Sequence, residues 1–241
     1  LPLNNRILIL KTIAHSLNVL HQAQIVHGDL KPDNVLIKRS KTGNYTAKLI
    51  DFDDSYFSEH PPEMTEDVVG DMAFYSPELA LYIKEDASVK PTHLTVKSDI
   101  FALGLLYTLY LTGRFPSFDQ EKYTYAGIAA MNGATLALTD DAIPAPLVDM
   151  INQMLAQDFK KRPNVGEVFQ ALKTMDLGKP MSRGPKKTGG LSLKGNLISK
   201  KEPGKVVKRP AKKTTDASSA SSKAAGGGLR GKGLGISKKK E

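Results

Sequence analysis

The segment His27-Gly28-Asp29-Leu30-Lys31-Pro32-Asp33-Asn34 is followed, seventeen residues after Asn34, by Asp51-Phe52-Asp53. These residue types at this spacing suit phosphoryl transfer. That chemistry needs a carboxylate to orient the attacking hydroxyl and take its proton, a cation near the transferred group, and oxygen ligands for magnesium. Asp29, Lys31, Asn34 and Asp51 supply such a set. A lone Asp or Asn in a turn is usually only a hydrogen-bonding turn residue, and Asp33 is read that way. Asp29, Asn34 and Asp51 escape that reading jointly, because they arrive in order with supporting elements.

Those elements must bring the set together. From Asn4 to about Gln24, Ile7, Leu10, Ile13, Ala14, Leu17 and Leu20 recur at three- and four-residue steps, which predicts a long helix with one buried face. Val35 to Lys38 and Tyr45 to Ile50 are β-prone runs joined by the turn-rich 39–44 segment, a predicted hairpin. Asn34 and Asp51 flank that hairpin, so its closure would put a neutral and an anionic oxygen side by side, as a hard cation bound to triphosphate prefers. From Asp51 to Pro77 no periodicity is evident, and the stretch is too long for a plain connector, so it is a candidate functional loop. Ser98 is expected to cap an apolar helix over Ile100 to Leu111, Pro144 to open another to about Ala156, and Pro163-Asn164 to precede a last helix ending near Met175. The expected body is four helices and a hairpin, with Phe101, Tyr107, Met150 and Met154 in its core.

This arrangement resembles the eukaryotic-type serine/threonine protein kinase family. The segment 27–34 is similar to its catalytic loop and Asp51-Phe52-Asp53 to its magnesium-binding motif. Ser76-Pro77-Glu78 resembles the end of the activation segment (51–78), Asp99 and Gly104 match its central helix, and Arg162 stands where an arginine pairs with that glutamate. The resemblance implies an α+β fold: the mainly α-helical C-lobe of a protein-kinase-like domain over 1–177, with a small β-hairpin. It implies Asp29 as catalytic base and Lys31 at the γ-phosphate of ATP. It also places Asn34 and Asp51 on Mg2+, Leu36 under the adenine, His27 and Phe52 stacked in the supporting core, and Asp99 holding the loop backbone. The implied partners are ATP and a protein substrate, and Lys31, two residues after Asp29, resembles the serine/threonine class.

Several positions depart from the family pattern. Gly28 replaces an arginine that would bind a phosphorylated activation loop, and Asp53 replaces a glycine. Asp71 replaces a threonine that bridges base and lysine, which raises the expectation of an Asp71–Lys31 salt bridge. No glycine-rich phosphate cover or strand lysine is found ahead of the catalytic loop. The chain is therefore expected to be a C-lobe without its N-lobe that alone binds ATP weakly and does not turn over at a normal rate. A pseudokinase or scaffold lobe is the alternative reading, disfavoured by retention of all four chemical groups.

Composition separates this body from the C-terminal segment. The chain carries a net charge of +9 over 241 residues. Leu1 to Gly178 holds 16 basic and 22 acidic side chains, a balance of −6, while Lys179 to Glu241 holds 18 and 3, a balance of +15. Residues 178–241 lack aromatics and read as a basic, low-complexity, disordered tail that attracts nucleic acid or acidic partners without sequence preference. The absence of cysteine excludes a disulfide framework and thiolate chemistry. No apolar run reaches the roughly 20 residues needed for a membrane span, and a cytoplasmic location is the default expectation.

Overall fold

Leu3–Gln22 forms helix α1, which buries Ile7, Ile9, Leu10, Ile13, Ala14 and Leu17 along one face. It stops because Gln24 adopts a left-handed backbone (φ 56°), the usual geometry just past a helix end. In this computed structural model, residues 1–41 and 43–175 are described. The 178–241 segment read as a disordered tail lies outside them.

Two small antiparallel sheets come after α1. Strand β1 (Ile25–Val26) pairs with β4 (Tyr56–Phe57), matching Val26 with Tyr56. Strands β2 (Val35–Arg39) and β3 (Tyr45–Leu49) form the expected hairpin, with Val35 opposite Leu49 and Arg39 opposite Tyr45. Ala47 and Leu49 turn inward to pack beneath α1, and the Thr12 hydroxyl accepts the Ala47 N–H at 2.9 Å. The hairpin is thereby fixed to α1 as well as to itself.

The remaining helices are α2 (Pro77–Ile83), α3 (Val96–Thr112), α4 (Ala126–Met131), α5 (Ala145–Met154) and α6 (Val165–Thr174). Helix α3 is buried nearly all round, from Ser98 through Thr108, which marks it as the centre of the unit. It packs on α5, and α1 packs on α6. A Cβ at Gly104 would lie 3.0 Å from the Leu155 side chain, so that small residue permits the close α3–α5 approach. Phe101, Tyr107, Met150 and Met154 are core residues as expected, and the Tyr107 hydroxyl donates to the Leu10 carbonyl at 2.7 Å.

Three expectations need correction. There are six α-helices among the described residues, not four. Helices α2 and α4 escape the periodicity because they are short and gain their burial from tertiary neighbours: Ala126, Ala129 and Ala130 carry little hydrophobic signal yet all are buried. Ser98 does not cap α3. Thr95 does, its hydroxyl accepting the Lys97 N–H at 3.3 Å, and Ser98 lies one turn inside, where its hydroxyl donates to Glu78 Oε1 at 2.9 Å. The stretch 51–77 also contains β4 and short 3-10 turns at Thr65–Asp67 and Met72–Phe74. Among the described residues, no helix is long and apolar enough to cross a membrane.

Candidate active site

The loop between β1 and β2 hangs from α3 by backbone hydrogen bonds. Buried Asp99 accepts the His27 N–H at 2.7 Å on one carboxylate oxygen and the Gly28 N–H at 3.2 Å on the other. His21, at the end of α1, places Nε2 2.9 Å from the same carboxylate. Three groups from two elements thus converge on one buried anion, which sets the loop relative to the two longest helices. Gly28 has φ +84°, and a Cβ there would stand 2.3 Å from the Asp54 carbonyl oxygen. Glycine is required at this position on both counts. An arginine could not occupy this backbone without moving Asp54.

Asp29 is held by three donors. The Lys31 ammonium at 2.5 Å and the Asn34 amide at 2.9 Å both reach Oδ2, and the Asp71 backbone N–H donates to Oδ1 at 3.2 Å. Asn34 Nδ2 also donates to the Asp29 carbonyl at 2.8 Å, fixing the carboxylate and its own main chain together. The hydrogen bond to Asp29 raises the Lys31 pKa, opposed by desolvation and aided by the charges of Asp29, Asp71 and Asp33, so Lys31 stays a cation at neutral pH. Because Nδ2 of Asn34 faces Asp29, its Oδ1 is the side-chain atom left to act as a ligand.

The hairpin then returns the chain to the site. The Ile50 N–H donates to the Asn34 carbonyl at 3.0 Å, which brings Asp51 next to Asn34 as the flanking positions imply. Asp51 is exposed and adopts φ +63°, an uncommon conformation for a residue other than glycine. Among the described residues its carboxylate has no hydrogen bond or ion pair. One free carboxylate beside one amide oxygen fits Mg2+, which keeps several waters and takes its other oxygens from phosphate. No cluster of three His, Cys, Asp or Glu side chains among the described residues could hold a metal without such help. Leu36 lies on β2 with 55% of its surface exposed, beside the site and open to a ligand.

Two readings of the sequence change here. Asp71 forms no salt bridge with Lys31, because its carboxylate turns away to accept the Ala73 N–H at 2.9 Å, while Lys31 is taken by the nearer Asp29. His27 is fully buried, but Phe52 is 45% exposed; the rings meet at 5.2 Å with only one of them in the core. Asp53, in place of glycine, has no left-handed backbone and needs none.

Sequence reasoning misses His21 and Asp54. The signal for His21 is a polar residue on the buried face of α1, four positions after Leu17. Asp54 is half-buried beside Gly28; burial raises its pKa first, and the charges of Asp29, Asp51 and Asp53 raise it further. Behind the loop lies a small cavity of about 40 Å³ lined by Gly28, Asp29, Asp54, Asp71 and Tyr75 among others. Further out, Glu78 and Arg162 form the expected buried pair, at 2.7 Å.

Comparison with known proteins shows the family. The protein kinase domain family model matches residues 3–172. Serine/threonine-protein kinase PknA of Corynebacterium glutamicum is 29% identical over 231 residues, covering 95% of this chain and 44% of that protein. The Aurora kinase of Saccharomyces cerevisiae is 33% identical over 159 residues, 65% of this chain and 38% of that protein. Serine/threonine-protein kinase 17A of Oryctolagus cuniculus is 26% identical over 164 residues, 67% of this chain and 38% of that protein. The chain belongs to the protein kinase domain family, and it spans less than half the length of these relatives.

Proposed function

We propose that this chain carries the catalytic residues of a serine/threonine protein kinase, which moves the γ-phosphate of ATP to a hydroxyl of a protein substrate. The observation that carries the reading is the convergence on Asp29: Lys31, Asn34 and the Asp71 N–H fix its carboxylate, while Asp51, brought beside Asn34 by the hairpin, has no partner among the described residues. A carboxylate has about four acceptor directions, so three donors leave room for one substrate hydroxyl. Asp29 orients that hydroxyl and takes its proton. Lys31, already a cation beside Asp29, faces the negative charge of the transferred group. Asn34 and Asp51 would hold Mg2+, which supplies charge neutralisation at the phosphates, and Leu36 offers an apolar contact to the base.

The test is magnesium-dependent nucleotide binding, measured by titration calorimetry on the chain alone and on the chain extended by any residues encoded upstream of Leu1. ATP affinity is expected to fall about tenfold or more when Mg2+ is chelated, and Asp51→Asn is expected to abolish most of that difference. Affinity indifferent to both changes contradicts the assignment of Asp51.

The charge of +15 over Lys179 to Glu241 favours a second activity alongside the first: binding of nucleic acid or other polyanions by counterion release. The full chain should bind duplex and single-stranded nucleic acid without sequence preference. The logarithm of affinity should fall linearly with the logarithm of salt concentration. Binding that is insensitive to salt, or retained after removal of residues 178–241, rules the reading out. A cytoplasmic location is part of the same proposal.

A further inference from the structure

Asp71 sits on the opposite side of Asp29 from Lys31 and Asn34, and it touches Asp29 through its backbone alone, by the 3.2 Å N–H contact to Oδ1. Its side chain has a different task. Oδ1 accepts the Ala73 N–H at 2.9 Å, and its carbonyl accepts the Phe74 N–H at 2.9 Å, so Asp71 is the N-terminal cap of the 3-10 turn Met72–Phe74. That turn is anchored at both ends. Phe74 is buried against Phe115, with ring centroids 5.5 Å apart, and the Tyr75 hydroxyl donates back to the Gly70 carbonyl at 3.1 Å. The peptide carrying the Asp71 N–H is therefore fixed by Gly70 on one side and by the capped turn on the other.

Neither neighbouring interaction makes Asp71 an ion-pair partner. It has no ion pair among the described residues, it is exposed, and Lys31 bonds to Asp29 instead. What it contributes at the site is a direction: with the cap formed, the N–H points at Asp29 Oδ1 and leaves Oδ2 to Lys31 and Asn34. Without the cap the segment keeps only the Phe74 and Tyr75 anchors, and loss of the N–H contact would leave Asp29 with donors on one oxygen only.

We infer that Asp71 is a positioning residue for Asp29, acting through its main-chain N–H, and that its carboxylate serves as a helix-cap acceptor and not as an ion-pair partner. The inference rests on the proposed role of Asp29, and its test separates the two. Amide hydrogen exchange at Asp71 is measured by NMR in the full chain for wild type, Asp71→Ala, Asp71→Asn and Asp29→Ala. Asn caps as well as Asp, whereas Ala does not. Exchange at position 71 is expected to quicken about fivefold or more in Asp71→Ala and in Asp29→Ala, and to stay close to wild type in Asp71→Asn. Phosphate transfer, measured in parallel, is expected to lose kcat with little change in KM for ATP in Asp71→Ala, and Asp71→Asn to restore most of the loss. Denaturation midpoints identify a variant that fails to fold, and Asp71→Ser, which keeps a cap acceptor, then replaces Asp71→Asn as the second test. Unchanged exchange in Asp71→Ala overturns the inference, as does an Asn variant as impaired as Ala. If exchange follows the expected pattern but neither wild type nor any variant transfers phosphate in the chain extended by any upstream coding sequence, the positioning contact stands and the catalytic reading of Asp29 falls.

Discussion

Arg162 directs all five of its N–H donors to protein acceptors, two of them to Glu78. Nη1 and Nη2 each reach a Glu78 oxygen at 2.7 Å, and the carbonyls of Lys97, Gln157 and Ala156 accept the other three at 2.9, 3.1 and 2.8 Å. The side chains are 0% and 4% exposed, and the guanidinium lies 5.0 Å from the Phe101 ring centroid. This pair joins the first turn of α2 to the turn before α6.

Removing one partner leaves the other as an uncompensated buried charge. Glu78→Ala or Arg162→Ala is expected to destabilise the fold by about 3–5 kcal/mol, read as a drop in urea midpoint at unchanged slope. A loss below about 1 kcal/mol in both variants would show that water replaces the missing partner.

Gly28 is the second point of control over the loop. The loop between β1 and β2 passes so close to Asp54 that Gly28→Ala forces a Cβ onto a carbonyl oxygen 2.3 Å away, at a backbone angle that L residues rarely adopt. A loss of about 1–3 kcal/mol is expected, larger for Gly28→Arg, which would not endow the loop with a usable phosphate-binding cation. Equal stability of wild type and Gly28→Ala, by thermal or chemical unfolding, would contradict the conformational reading.

Much of this site is legible in the amino-acid sequence. The 3.6-residue period of α1 and the alternation of the hairpin strands are strong signals, and hairpin closure alone suffices to pair Asn34 with Asp51. Asp99 and the Glu78–Arg162 pair are legible only through the family resemblance, because their partners lie 72 and 84 residues away and no local pattern links them. The failures share one cause. Ser98, Asp71 and the helix α4 each have a plausible local role, and a tertiary neighbour decides which role is realised. Ser98 is drawn to Glu78 instead of capping α3. Asp71 could have reached Lys31, but the short turn after it offers a nearer donor. His21 escapes notice because a histidine without metal-ligand spacing gives no local sign that a buried aspartate waits on another helix.

In the proposed reaction Asp29 accepts the proton of a protein hydroxyl while phosphate leaves ATP. This role is tested most directly by phosphate incorporation from labelled ATP with Mg2+ into a generic serine- and threonine-containing protein. Wild type and Asp29→Asn are compared in the chain as it stands and in the chain extended by any upstream coding sequence. Asp29→Asn keeps the size of the side chain and one acceptor oxygen but removes the base, so the rate is expected to fall by about a hundredfold or more, with circular dichroism and unfolding midpoint close to wild type. Transfer at the wild-type rate by Asp29→Asn, or no transfer by wild type in either form, would contradict this role of Asp29.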